Sequence, residues 1–217
     1  MNADIAVTVL QRINAIAERL DGWVATEDTT DGDPFRILVA CVLSQRTKEE
    51  VTTIAAEKLF AAASTPAEML HLTEKKIGSL IYPVGFWKTK ARAIRGLSAV
   101  ILERHQGAVP STMEELLALP GVGRKTANLV LSDAFAIPSI CVDTHVHRIM
   151  NRLGVVRTPT PESTEMALRA VLPKNVWISV NYALVVFGRN VCTPLSPRCS
   201  ECEVGGVCER VGVFRSR

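Results

Sequence analysis

The sequence predicts an all-α protein. Three observations carry that reading: apolar residues recur at the helical period along most of the chain, no run alternates as a half-buried strand does, and short connections join the helical stretches. With 217 residues, 47% hydrophobic and 22% charged, the chain can bury one or two sizeable cores, and its 13 glycines and 11 prolines exclude a collagen-like or low-complexity polymer.

Ile5, Val9, Ile13, Ile16 and Leu20 form one stripe at steps of three and four, predicting a first amphipathic helix over 5–20. Asp33 followed by Pro34 is an N-cap with proline at the first helical position, opening an almost wholly apolar helix through Phe35, Ile37, Leu38 and Leu43 that should be central and buried. Residues 48–62 and 89–104 read as amphipathic helices, the second with Ile94, Leu97 and Ile101 on one face and ending before Gly107. Ser111-Thr112-Met113-Glu114 fits a capping box for a short helix that Pro120 and Gly121 stop. Further helices are predicted from Arg124 to Ala134, from an Asp143 N-cap to near Gly154, from Thr160-Pro161-Glu162 to Leu172, and over 176–190. There is no internal repeat and no flexible linker, so any division into two domains is compact.

The first 22 residues lack the basic start and unbroken apolar core of a secretory signal, and no apolar run approaches the ~20 residues that cross a bilayer, so a soluble cytoplasmic protein without membrane contact is expected. The net charge of +3 hides an uneven distribution: residues 1–74 hold six basic and twelve acidic side chains, whereas 75–104 hold seven basic and one acidic. Such a segment is usually a solvated helix face, yet beside Phe86 and Trp87 it also suits a polyanion whose bases need stacking partners.

The last 26 residues are poor in helix formers, and something other than an apolar core must hold them. Cys192, Cys199, Cys202 and Cys208 lie within 17 residues in the pattern C-x6-C-x2-C-x5-C. Four thiolates this close can surround one metal centre, whose bonds offset the entropy of ordering the tail. Structural zinc usually shows two C-x2-C pairs or a histidine pair, and the tail has one such cysteine pair and no histidine; the spacing therefore favours a [4Fe–4S] cluster, with zinc as the main alternative. Cys41 reads as a small core residue, and Cys141 carries no assigned role.

Leu119-Pro120-Gly121-Val122-Gly123-Arg124-Lys125-Thr126-Ala127 sits between two helices. Gly121 and Gly123 allow a tight turn whose N–H groups can approach a phosphate at the positive end of the next helix, although the same residues also make a plain helix–helix turn. Lys125, in the first turn of that helix, sits where the dipole disfavours an ammonium and where burial would add to the effect, so a neutral nucleophilic amine becomes attainable, although taken by itself the residue reads more simply as a surface or phosphate-binding lysine. His145 and His147 diverge on a helix and chelate poorly, so neither reads as a metal ligand.

The hairpin LPGVGRKTA, the segment VDTHVHR and the cysteine pattern occur in that order in one chain, and together they resemble the endonuclease III family of DNA glycosylases within the helix-hairpin-helix superfamily. The resemblance runs from DPFRILVACVLSQRT to the cysteine tail. It implies two α-helical domains flanking a DNA-binding cleft: a six-helix domain over 23–132 containing the helix-hairpin-helix motif, and an iron–sulfur cluster domain formed by 1–22 and 133–217. It further implies a monomeric base excision repair enzyme acting on double-stranded DNA with damaged bases or abasic sites, and associated with the nucleoid if the source is prokaryotic. Lys125 matches the family's catalytic lysine and Asp143 its catalytic aspartate. Gln45 resembles the residue that fills the gap left by a flipped base, Phe86 stands where a side chain enters opposite the estranged base, and Gly121 and Gly123 match the phosphate-binding turn. The four cysteines match the ligands of a [4Fe–4S] cluster.

The implied reaction is bifunctional: removal of an oxidised pyrimidine of the thymine glycol type through a lysine Schiff base, then β-elimination. The chain departs from the family pattern at the lesion pocket, where a residue is missing between Ser44 and Gln45 and Arg46 replaces an alanine, and at Phe86, where an aliphatic side chain is common. Mismatch glycosylases generally have Tyr or Ser in place of Lys125. A non-catalytic DNA-binding module would not need Lys125 and Asp143, and an electron-transfer protein would not need the glycine hairpin.

Overall fold

A computed structural model describes residues 2–20 and 29–217. The described residues form helices and turns with no strand, as the periodicity predicts. They divide into two units, a hairpin unit of Val24–Ile137 and a cysteine unit of Met1–Trp23 with Pro138–Arg217. The expected domain boundary at residues 22 and 23 lies outside the described residues.

The hairpin unit is built around α2 (Pro34–Ser44). Asp33 caps it, its Oδ1 accepting the Arg36 N–H at 2.9 Å, and Pro34 supplies a pre-set first turn. Every residue from Ile37 to Leu43 is buried, so α2 is apolar all round because α3 (Glu49–Ala62), α6 (Trp87–His105) and α8 (Arg124–Phe135) surround it. α4 (Pro66–His71) and α5 (Glu74–Ile81) pack on α6, and α7 (Met113–Leu117) packs on α8. Leu38, Leu59, Ile77, Ile94 and Leu97 are fully buried in the core these helices share, each contributing about 1.5–3 kcal/mol by leaving water.

Two details differ from the sequence expectation. The cap of α7 lies one residue later, at Thr112, whose backbone is extended: its Oγ1 accepts the Glu115 N–H at 3.3 Å and donates to Glu115 Oε2 at 2.6 Å. α4 and α5 have no counterpart in the periodicity reading, although α4 begins with a complete capping box between Thr65 and Glu68.

In the cysteine unit, α1 (Ala3–Arg19) and α9 (Thr144–Leu153) both pack on α11 (Trp177–Asn190), and α10 (Pro161–Val171) packs on α9. The buried face of α1 is Ala6, Val9, Leu10, Ile13, Ile16 and Ala17. Ile5 and Leu20, placed on that stripe by spacing, lie at the two ends of α1, Leu20 being its C-cap, and are exposed at 42% and 38%. Gly154 ends α9 in the left-handed conformation, φ 79°, which a side chain would strain. No described helix is long and apolar enough to cross a membrane.

Candidate functional site

The glycine turn joins α7 to α8. Gly121 has φ 79°, and a Cβ there would lie 2.8 Å from Ala93 Cβ on α6, so only glycine fits both the turn and the close approach. Gly123 is different: its backbone is extended, a Cβ would meet nothing within 4 Å, and it caps α8 with no side chain. Lys125 follows in the first turn of α8, as predicted, but it is exposed rather than buried.

Gln45 is exposed at the end of α2 and already engaged, its Nε2 donating to the Gly121 carbonyl at 3.1 Å and to Thr126 Oγ1 at 3.3 Å. The structure thus joins the residue expected to fill a base gap to the turn expected to bind a phosphate. Arg46 comes next, exposed and left-handed at φ 51°, with its guanidinium 5.7 Å from the centroid of the Phe86 ring. Phe86 is also left-handed, φ 57°, and 63% exposed, so it is not a core aromatic; Trp87 is the one packed against the core.

These two corners are pinned together. The Gly85 N–H donates to Thr47 Oγ1 at 3.2 Å, and a Cβ on Gly85 would come within 2.7 Å of the Arg46 carbonyl oxygen. Lys90, only 5% exposed, donates from Nζ to the carbonyls of Leu43 (2.7 Å) and Gln45 (2.5 Å) and to Thr47 Oγ1 (3.0 Å). Burial pushes its ammonium down to about 8, a shift that the three oxygen acceptors oppose. In the sequence Lys90 is one of seven cations in a basic stretch; nothing in spacing separates it from its solvated neighbours.

Asp143 belongs to the cysteine unit. It is half-buried and caps α9 as predicted, its Oδ1 accepting the N–H groups of His145 (2.8 Å) and Val146 (2.9 Å). Asn181 Nδ2 on α11 donates to the Cys141 carbonyl at 3.1 Å, fixing the strand of chain that delivers Asp143.

All six cysteines are free. Burial pushes the Cys41 thiol up to about 12, and the Asp133 charge adds to it, so Cys41 is an inert core residue. Cys192, Cys199, Cys202 and Cys208 are half-buried and line one cavity with Ile149, Leu153 and Phe187. Burial pushes the thiols of Cys202 and Cys208 up against the opposing pull of backbone N–H groups, and charge on the neighbouring cysteines adds to the rise. Among the described residues, no group of three or more His, Cys, Asp or Glu side chains is arranged to hold a single metal ion.

Two arginines of α9 to which the sequence assigns no role, Arg148 at the end of the VDTHVHR segment and Arg152, organise the start of the tail. Arg148 Nη2 donates to the carbonyls of Gly188 (3.2 Å) and Cys192 (2.9 Å), and Arg152 donates to those of Thr193 (2.8 Å) and Pro194 (2.6 Å) while facing Cys192 Sγ at 3.5 Å.

A glycine turn between two helices, a lysine opening the second of them and a four-cysteine tail define a helix-hairpin-helix protein. The family described as "HhH-GPD superfamily base excision DNA repair protein" matches residues 39–174. Endonuclease III of Thermotoga maritima is 49% identical over 82% of this chain and 83% of its own length. Endonuclease III homolog 2, chloroplastic, of Arabidopsis thaliana is 44% identical over 80% of this chain, which spans about half (47%) of that protein. A solved structure of a trapped endonuclease III–DNA covalent intermediate, an estranged-adenine complex, superposes with a TM-score of 0.88 at 31% identity, covering 97% of each chain. The chain belongs to the endonuclease III family of the HhH-GPD superfamily. It is a base excision repair DNA glycosylase.

Proposed function

We propose that the chain excises oxidised pyrimidines of the thymine glycol type from double-stranded DNA and then cleaves the strand as an AP lyase, acting as a monomer. The observation that carries this is Lys125, exposed in the first turn of α8 directly after the Gly121–Gly123 turn. A phosphate seated on that turn places the adjoining nucleotide within reach of the amine, and extrusion of the base costs a few kcal/mol, least for a damaged one. The trapped covalent intermediate of the similar endonuclease III supports a covalent route.

Neutral Lys125 Nζ bonds to the deoxyribose C1′ as the C1′–N glycosidic bond breaks, and the base leaves with the electron pair and takes up a proton. The new ammonium loses a proton, and its nitrogen lone pair then breaks the C1′–O4′ bond as O4′ takes up a proton, which opens the sugar ring and gives the iminium. Removal of a C2′ proton then expels the 3′ phosphate by breaking the C3′–O bond, and water releases Lys125. Asp143 accepts the proton from the amine and stabilises the positive charge developing on the sugar. Gln45 fills the gap left by the extruded nucleotide, and Phe86 enters opposite the estranged base.

Cys192, Cys199, Cys202 and Cys208 would hold a [4Fe–4S] cluster. Structural zinc usually uses two C-x2-C pairs or a histidine pair, and the tail offers four thiols on one cavity with a single C-x2-C pair and no histidine, a donor set that suits the cluster better. When bound, the cluster supplies structural cross-links for a tail that has little core of its own. Arg148 and Arg152 orient the Cys192 end of that tail.

The test is a cleavage assay on end-labelled duplex DNA with one thymine glycol. Release of the base together with a β-elimination end supports the reading. Base release without strand cleavage would assign the chain to monofunctional glycosylases, and cleavage confined to a different lesion would overturn the substrate.

A further inference from the structure

Lys90 has a feature that packing alone does not require. Its Nζ is buried with three oxygen partners, none of them a carboxylate. A side chain that only filled space here would be better apolar, since burying an ammonium without a counter-charge is costly. The acceptors are informative. Leu43 lies in the last turn of α2 and Gln45 is its C-cap, so both carbonyls are among those a helix end leaves without intrahelical partners and where its dipole favours a cation. The third acceptor, Thr47 Oγ1, also accepts the Gly85 N–H and donates to the Gln45 carbonyl at 3.2 Å, so its one proton and both lone pairs are used. Lys90 and Thr47 therefore join two loops distant in sequence, each with a left-handed non-glycine residue, Arg46 and Phe86. Such conformations cost on the order of 1–3 kcal/mol each and persist where surrounding contacts over-determine them. Gln45, Arg46, Phe86, Thr89 and Lys90 line one surface cleft.

We propose that Lys90 is a positioning residue for base extrusion: through the Leu43 and Gln45 carbonyls and Thr47 it holds the Gln45–Arg46 corner against the Phe86 corner, so that these side chains meet the distorted duplex as one preformed surface. The proposal rests on the glycosylase reading. It assigns Lys90 to recognition of the gap and the estranged base, not to bond breaking. Preorganisation of this kind removes the cost of ordering side chains at the moment of binding, and that saving appears only on DNA that accepts the inserted groups.

The test compares wild type, Lys90→Met and Thr47→Val, each verified as folded by circular dichroism. The probes are an undamaged duplex and the same duplex with one tetrahydrofuran abasic analogue opposite 2-aminopurine. The expected result is affinity for undamaged duplex within about two-fold of wild type, affinity for the abasic duplex lower by at least about ten-fold, and loss of the 2-aminopurine fluorescence rise that reports unstacking. Equal behaviour of wild type and both variants on the abasic duplex overturns the proposal. So does a parallel loss on both duplexes, which would make Lys90 merely a packing residue. If Lys90→Met fails to fold, Thr47→Val decides by the same readouts. A wild type that neither excises thymine glycol nor prefers the abasic duplex overturns the glycosylase reading, and this proposal with it.

Discussion

Asp143 shows how one side chain can hold two roles that a substitution separates. Its carboxylate caps α9 by accepting two backbone N–H groups, and an asparagine oxygen does that nearly as well. Asp143→Asn should therefore leave thermal stability within about 0.5 kcal/mol of wild type while lowering single-turnover excision by about 10²-fold or more, the contribution of a positioned proton acceptor. Asp143→Ala should lose the same activity and about 1 kcal/mol of stability besides. An Asn variant of full activity would remove Asp143 from the chemistry. Lys90 makes a prediction about pH. Burial holds its pKa near 8 in the folded chain, whereas the unfolded chain keeps the proton up to about 10.4. Between those values the unfolded state binds more protons, so stability should rise with pH relative to Lys90→Met, by at most about 3 kcal/mol. Equilibrium unfolding of both proteins near the two ends of that window measures it, and a flat difference would show that the three oxygen acceptors cancel the effect of burial.

Among the elements, the glycine turn carries the sharpest contrast. Gly121→Ala forces a Cβ into a left-handed residue and against Ala93, and should cost about 1–3 kcal/mol. Gly123→Ala meets open space on extended backbone and loses only the better N-cap, so it should cost about 0.5–1 kcal/mol. Thermal melts separate them, by roughly 2–4 °C per kcal/mol at this chain length. If phosphate binding depends on close backbone approach at Gly123, its alanine variant loses DNA affinity with little loss of stability. How much of these elements the sequence discloses depends on how local their cause is. Asp33-Pro34, Asp143 with Gly154, and Thr160-Pro161 mark helix ends correctly because a cap is decided within four residues. α4 and α5 escape notice because six and eight residues hold too few turns for a period to register, although Thr65 and Thr73 act as caps. Lys90, Arg148 and Arg152 are illegible for another reason: each is one cation among many until the fold buries it against carbonyls from another part of the chain.

The molecule as a whole has two apolar cores and a tail with few buried apolar residues of its own. The tail's need for a cross-link was legible in composition, and the structure adds that its four thiols share one cavity next to Arg152. Purified protein should contain about four iron and four sulfide per chain; one zinc per chain would replace the cluster reading. Cys199→Ser should lose that iron and expose the tail to protease while the Val24–Ile137 unit keeps its core. The central claim concerns Lys125, and borohydride trapping on thymine glycol duplex tests it most directly. Wild type should yield a covalent protein–DNA adduct, with peptide mapping placing the reduced bond on Lys125, and Lys125→Gln should yield none. An adduct of equal yield from Lys125→Gln, or base release by wild type with no adduct, would contradict the account.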